Sequence, residues 1–557
     1  MTSPDVADLL TRARSWLAED PDEQTKAELA VLIARAESGD PDDAVADLAD
    51  RFRGTLEFGT AGLRGALGAG PNRMNRIVVI RAAAGLAAYL RDTGATAGST
   101  VVIGYDARHN SDVFARDTAE VMSGAGLVPL VLPRPLPTPL LAYAIRELDC
   151  VAGVMVTASH NPPQDNGYKV YLGDGSQIVP PADGEIASRI AAVGALDSVP
   201  RLPLDAHGGR VLDEGIIDAY LDTVAELAVD GARELSLVYT PLHGVGGTSV
   251  GQVLETAGFA APEVVQQQEQ PDADFPTVAF PNPEEPGAMD LAMALASRTH
   301  ADLVVANDPD ADRCAAAVPT AEGWRMLRGD EVGALLASHL LKRGKQGTYA
   351  TSIVSSSLLG KMAAAAGQPY VETLTGFKWI GRLPGLAFGY EEALGYCVDP
   401  EHVKDKDGVS ALLLLCELAA EAKAAGRTLQ DLLDDIAVEH GLHVTDQLSV
   451  RVTDLAQIGV AMTRLRDTPP VALGGLSVDG VEDLAAGVGG LPPTDGLRYR
   501  LAGGARVIVR PSGTEPKLKC YLEVVLAVID GDVAGARAAA DTTLAAMKTD
   551  IGAALGL

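Results

Sequence analysis

Cysteine is scarce in this chain of 557 residues: Cys150, Cys314, Cys397, Cys416 and Cys520 are odd in number, far apart and form no CxxC pair. That excludes a disulfide framework and a cysteine zinc site, and predicts reduced, mostly buried thiols. Positive charge is also in deficit, with 45 Lys plus Arg against 75 Asp plus Glu and a formal net charge of −30. This balance argues against the sequence-independent phosphate attraction on which nucleic-acid binders rely. No nucleic-acid partner is expected. An anionic small-molecule substrate would need its basic groups concentrated in one cleft, against the sign of the whole. Long apolar runs are missing too: the longest, near Ala411 to Cys416, falls far short of a membrane span. The N-terminus, Met1-Thr2-Ser3-Pro4-Asp5, soon becomes charged. A cytoplasmic protein without a membrane partner is the expectation.

What is present is ordinary globular composition, 47% apolar and 22% charged, which excludes disorder as the main state. At roughly 150 residues per domain the length suggests about four domains. In the first fifty residues Val6, Leu9, Leu10, Ala13 and Leu17 recur at helical spacing behind Ser3-Pro4, a cap with proline at the first helical position. Turns of the same kind open at Asp20-Pro21-Asp22 and Asp40-Pro41-Asp42. From about Arg76, short β-rich runs alternate with Ala/Leu-rich amphipathic stretches, as in parallel α/β units. Strand-loop-helix passages start at Val101, Leu235 and Tyr349. Linker composition falls near Pro200 to Gly209, Thr320 to Gly329 and His440 to Gln447. The division expected is therefore 1–207, 208–324, 325–443 and 444–557. The last piece reads as α+β, closing on a helix with Val533, Ala540, Leu544, Met547 and Ile551 on one side.

Three loops could carry chemistry. After the apolar strand Leu303-Val304-Val305, the segment Asn307-Asp308-Pro309-Asp310-Ala311-Asp312-Arg313 crowds three carboxylates into a turn at a strand's C-terminal end, where α/β sheets bind ligands. Two like charges ~4 Å apart repel by about 4 kcal/mol at an effective dielectric of ~20. A hard divalent cation relieves this, and Mg²⁺ suits a site with few carboxylates and a phosphate oxygen. An Asx-rich turn is the other reading; the EF-hand pattern fails for want of its glycine and its final glutamate. The second loop, Thr157-Ala158-Ser159-His160-Asn161-Pro162-Pro163, follows Val154-Met155-Val156 and could present a serine hydroxyl beside His160. Taken alone it reads more readily as a turn than as a catalytic dyad, and the loop itself does not fit a GxSxG elbow. The third, Arg510-Pro511-Ser512-Gly513-Thr514-Glu515-Pro516-Lys517, combines a guanidinium, two hydroxyls and a glycine, a phosphate cradle or a solvated turn. The GxxxxGK[ST] loop of ordinary ATPases is absent. Glu391 and Glu392 in Gly389-Tyr390-Glu391-Glu392-Ala393, and Lys378 after Gly376, are weaker signals.

Taken in chain order, the serine loop at 157–163, the aspartate loop at 308–313, the glutamate pair at 391–392 and the arginine loop at 510–516 resemble those of the α-D-phosphohexomutase family, which includes phosphoglucomutase and phosphomannomutase. The resemblance implies three similar α/β domains and a C-terminal α+β domain around a central cleft, here with an N-terminal helical extension. It implies that Ser159 carries a phosphoryl group, and that Asp308, Asp310 and Asp312 bind Mg²⁺ together with the Ser159 phosphate. Arg313 would stabilise transferring charge, and Arg64, in Gly59-Thr60-Ala61-Gly62-Leu63-Arg64-Gly65, matches a family arginine near the catalytic serine. Lys169 and Lys378 would serve proton transfer or transition-state contacts, with His160 in support. Glu391 would bind sugar hydroxyls, and Arg510, Ser512, Gly513 and Thr514 the non-reacting phosphate. The implied reaction interconverts hexose 1-phosphate and 6-phosphate, of glucose or mannose, through a 1,6-bisphosphate that also serves as activator. Many members have serine where this chain has Ala393, and the Glu-Glu-Ala pattern looks like a branch that includes mutases of pentose phosphates. A phosphopentomutase, and a noncatalytic sugar-phosphate binding protein, are the alternatives.

Overall fold

The computed structural model of the protein describes residues 3–38, 41–59, 62–452, 456–512 and 517–556. The chain divides into two compact units, Met1–Met326 with Gly395–Glu417, and Leu327–Leu394 with Leu418–Leu557.

The first unit opens with three helices, Ser3–Glu19, Glu23–Glu37 and Pro41–Arg51. Leu9 and Ala13 face inward from the first, as its spacing predicts, and Trp16, which that pattern omits, is buried with them. The second differs in detail. Its cap is Asp22, whose side chain accepts from Gln24 N–H, while Asp20 braces the turn by accepting from Asp22 N–H and the Thr25 hydroxyl. Pro21 therefore lies outside the helix rather than at its first position.

A six-stranded sheet follows in the order Leu63–Ala66, Asp165–Leu172, Ala152–Val156, Thr100–Tyr105, Val128–Val131, Arg210–Val211. Its last four strands are parallel and its first two antiparallel. The fully buried strand Ala152–Val156 reads as a continuous apolar run, as expected where helices cover both faces of a sheet. A second sheet runs Gly323–Met326, Ala315–Thr320, Leu303–Ala306, Leu237–Thr240, Glu263–Val264. There the segment from Thr320 to Gly329, which reads as a linker, holds the hairpin strand Gly323–Met326.

In the second unit, Tyr370–Thr373, Thr348–Ser352 and Leu386–Glu391 pair in parallel in that order. An antiparallel sheet of six strands then runs from Leu442–Arg451 at one edge to Ala472–Leu473 at the other. The supposed linker at His440 to Gln447 is thus mostly strand: Leu442–Arg451 pairs along its whole length with Lys517–Leu526. Polar residues on its outer face hide the alternation of Leu442, Val444, Leu448 and Val450. The closing helix Val533–Leu555 buries Val533, Ala540, Leu544, Met547 and Ile551, the face its sequence pattern marks. The fold class is the multidomain α/β arrangement expected.

Candidate active site

Two strand ends of the first unit create the site. Beyond Ala152–Val156 the chain turns so sharply that Ser159 adopts φ +54°, a left-handed conformation that costs an ordinary residue about 1 kcal/mol or more. Ser159 is buried, yet its Oγ donates to Asp308 Oδ2 at 2.9 Å and lies 3.2 Å from His160 Nδ1. Beyond Leu303–Ala306 comes the turn carrying Asp308, Asp310 and Asp312, all at most 1% exposed. One oxygen from each lies within 4.8 Å of the others.

Three cations answer these carboxylates. Lys169, on Asp165–Leu172, places Nζ 2.7 Å from Asp310 Oδ2 and 3.0 Å from Asp312 Oδ2. Lys406 Nζ lies 2.9 Å from Asp312 Oδ2, and Arg313 Nε lies 3.7 Å from Asp308 Oδ2. The Thr138 hydroxyl donates to Asp310 Oδ2 at 2.7 Å. Burial alone would raise every carboxyl here, but Lys169, Lys406 and Arg313 hold Asp312 far below the usual carboxylate range. Asp308 goes the other way: burial, then the neighbouring Asp310 and Asp312, push it well above that range. Burial, together with the cations Arg313 and Arg64, holds His160 well below an ordinary histidine, so its ring is neutral at pH 7.

The donor set fits a divalent cation. Asp310 Oδ1 and Asp312 Oδ1 are buried and accept no hydrogen bond from the described residues, an expensive arrangement for ionised oxygens unless a cation binds them. All the candidate ligands are hard oxygens, as magnesium prefers.

Arg64 stands on Leu63–Ala66, paired opposite Gly167, and its Nη1 donates to Asn161 Oδ1 in the serine loop at 3.2 Å. The first unit therefore gathers Ser159, His160, Arg64, Lys169, Asp308, Asp310, Asp312 and Arg313. Lys378, Glu391, Arg510 and Ser512 belong to the second unit. There Glu391 Oε1 accepts from Gly376 N–H at 2.7 Å, which joins it to the turn before Lys378. Glu392 is instead held by the hydroxyls of Ser352 and Ser355, at 3.1 and 3.0 Å. Lys378 lies in the short helix Phe377–Ile380 and is buried. Arg510 is the penultimate residue of the strand Arg506–Pro511, and Ser512 N–H donates to Lys517 O. Gly513 and Thr514 lie outside the described residues.

Sequence reasoning missed Lys406 and Thr138. The first had a signal: Lys404-Asp405-Lys406-Asp407 is a dense charge run immediately before the apolar helix Gly408–Ala424, and a charge run beside an apolar helix need not be solvated. Thr138 had none beyond opening the helix Thr138–Glu147 behind proline.

A serine hydroxyl bonded to a buried carboxylate triad, on the strand ends of two α/β sheets, is the architecture of the α-D-phosphohexomutase class. The chain belongs to the phosphoglucomutase/phosphomannomutase family: alpha/beta/alpha domains I, II and III of that family match residues 55–196, 218–323 and 328–439, and its C-terminal domain matches 448–536. Among its relatives is a probable phosphomannomutase of Haemophilus influenzae, 50% identical over 81% of this chain and 93% of that protein. A probable phosphoribomutase of Schizosaccharomyces pombe is 37% identical over 91% of this chain and 92% of its own. A crystal structure assigned to a phosphomannomutase of Thermus thermophilus aligns with a TM-score of 0.68 at 26% identity, covering 88% of this chain and 99% of that one.

Proposed function

We propose that this chain is an intramolecular phosphotransferase that interconverts hexose 1-phosphate and hexose 6-phosphate, with glucose or mannose as the sugar. The observation that carries the reading is Ser159 Oγ, 2.9 Å from Asp308 Oδ2, at the edge of a carboxylate cluster ringed by Lys169, Lys406 and Arg313. In the first half-reaction the bond between phosphorus and Ser159 Oγ breaks as a bond to the free sugar hydroxyl forms, which gives a sugar 1,6-bisphosphate. After this intermediate turns around, Ser159 Oγ attacks its other phosphate and the product leaves. Neutral His160, with Nδ1 3.2 Å from Ser159 Oγ, receives the serine proton in that return step and yields it in the forward one.

Phosphoryl transfer depends on positioning and charge stabilisation, and the residues divide accordingly. Arg64 and Arg313 hold the equatorial oxygens. Asp308, Asp310 and Asp312 would hold Mg²⁺, which when bound neutralises charge on the transferring group. Lys169 keeps its proton, because Asp310 and Asp312 outweigh the effect of burial; it acts as a fixed positive charge. Lys378 serves the proton on the sugar side, Glu391 grips sugar hydroxyls, and Arg510 and Ser512, with Gly513 and Thr514, bind the non-reacting phosphate. These roles follow the division of the chain into 1–207, 208–324, 325–443 and 444–557, which supply the serine, metal, sugar and phosphate loops in turn. A sugar 1,6-bisphosphate restores the phosphoserine when it is lost and so activates the enzyme.

A pentose phosphate is the second reading, favoured by a human phosphopentomutase that is 34% identical over 91% of this chain. Kinetics with glucose, mannose and ribose 1-phosphates decide between them. A hexose is expected to give the highest kcat/KM, and a pentose in that place would overturn the choice of sugar. Among the described residues no helix is long and apolar enough to cross a membrane. The five cysteines are buried and none is joined in a disulfide, which supports a reducing, cytoplasmic setting.

A further inference from the structure

One buried side chain gathers the main chain of the loop that presents Ser159. Arg108 follows the strand Thr100–Tyr105, and its side chain is 1% exposed. Its Nη2 donates to the carbonyl oxygens of Ser159 at 2.6 Å and Asn161 at 2.5 Å. Its Nη1 donates to those of Pro162 at 2.9 Å and Asp165 at 3.2 Å. Main-chain acceptors of Ser159, Asn161, Pro162 and Asp165 thus converge on one guanidinium. Asp106 positions that guanidinium, with Oδ2 3.4 Å from Arg108 Nε and Oδ1 accepting from Arg108 N–H and the Ser111 hydroxyl. Phe275 covers its face, with the ring centroid 4.9 Å away.

Sites that bury an arginine commonly pair it with carboxylates. Here most of its donors are spent on the backbone of a loop whose central residue, Ser159, is held at φ +54°. We propose that Arg108 is a positioning residue for phosphoryl transfer: it clamps the main chain of the serine loop, so that Ser159 Oγ meets each phosphate in the same place. The proposal rests on the mutase reading. In that cycle the same oxygen must act first as leaving group and then as nucleophile, and a loop free to relax from its left-handed turn would misplace it in both steps. A misplacement of about 1 Å is enough to slow such a step about a hundredfold. No other side chain substitutes well, because a planar fork offers five donors at fixed angles whereas an ammonium offers three from one point.

The test compares Arg108→Lys, Arg108→Ala and Phe275→Leu with the wild-type enzyme in the mutase assay, with thermal unfolding measured alongside. Arg108→Lys is expected to lower kcat at least about tenfold while KM for the sugar phosphate stays within about twofold. Arg108→Ala is expected to lose more, and to recover part of its kcat in millimolar methylguanidine, a rescue that a merely structural role would not produce. Folded Arg108→Lys enzyme with wild-type kcat, or with KM raised and kcat unchanged, would overturn the clamp. If neither Arg108 variant folds, Phe275→Leu decides, since it loosens the same guanidinium without touching the serine loop: a lower kcat at constant KM supports the clamp, and wild-type kinetics refute it. Absence of turnover in the wild-type enzyme would overturn both the clamp and the mutase reading, whereas wild-type turnover with unaffected variants removes the clamp alone.

Discussion

Ser159 has a double commitment, to Asp308 through its hydroxyl and to a left-handed backbone. Removing the hydroxyl takes away the group proposed to accept phosphate and is expected to leave the turn intact. Ser159→Ala is expected to lower kcat by more than about 10⁴-fold, to eliminate the phosphorylated peptide in a mass spectrum, and to leave the unfolding temperature within a few degrees; activity near wild type would contradict the assignment. Lys406 tests the electrostatics of the same cluster from the other side. Its ammonium lies 2.9 Å from Asp312 Oδ2, and Lys406→Met leaves that buried carboxylate with less compensation. Breaking a buried pair in this way costs about 3 kcal/mol, measurable by urea unfolding in metal-free buffer. A change below about 0.5 kcal/mol would mean that Lys169 and Arg313 suffice without it.

At the scale of elements, one loop fixes the position of another. The loop after Leu237–Thr240 lies directly against the carboxylate turn: a Cβ added to Gly244 would stand 2.4 Å from Pro309 Cα and 2.5 Å from its carbonyl oxygen. Backbone cannot yield as a flexible side chain can, so Gly244→Ala is expected to push Asp308 and Asp310 out of register. The expected result is a Mn²⁺ Kd raised about tenfold, read by electron paramagnetic resonance titration; an unchanged Kd would show that the turn tolerates the displacement.

The helix Gly408–Ala424 makes a pH-dependent contribution. Asp407 Oδ1 accepts from the N–H groups of Val409 and Ser410 and from the Tyr220 hydroxyl, capping the first turn. Burial nevertheless raises its carboxyl from 3.8 to about 6. Between those values the folded chain holds a proton that the unfolded chain has released, so this contribution to stability falls as pH rises from about 4 to about 6. Asp407→Asn keeps the acceptor and removes the titration. It is expected to be more stable than wild type at pH 7 by up to about 3 kcal/mol and nearly equal to it at pH 4. Parallel unfolding curves across that range would refute the role given to Asp407.

At the scale of the whole molecule, legibility in the sequence follows the distance between partners. The alternation of apolar runs marks the α/β units because burial of a strand or a helix face is local. The serine and aspartate loops are legible for the same reason, each being a contiguous segment ending a single strand. What the sequence does not disclose is contact across long separations. Arg108 reaches Ser159 over 51 residues and Asn161 over 53, Thr138 reaches Asp310 over 172, and no period or motif records such meetings. Strands with a polar face are hidden for a different reason: in Leu442–Arg451 the half that faces water resembles a linker.

The net charge of −30 shows how unevenly charge is distributed, since Arg64, Lys169, Arg313 and Lys406 all serve one serine and its three aspartates. In the proposed cycle Ser159 lends a phosphoryl group and takes one back. This cycle is tested most directly by labelling Ser159 with ³²P, mixing the enzyme with excess unlabelled hexose 1-phosphate, and quenching within a single turnover. Label is expected to leave the protein at a rate no slower than kcat and to appear in sugar bisphosphate and hexose 6-phosphate. Label that remains on the protein during turnover, or that emerges only as inorganic phosphate, would contradict the cycle.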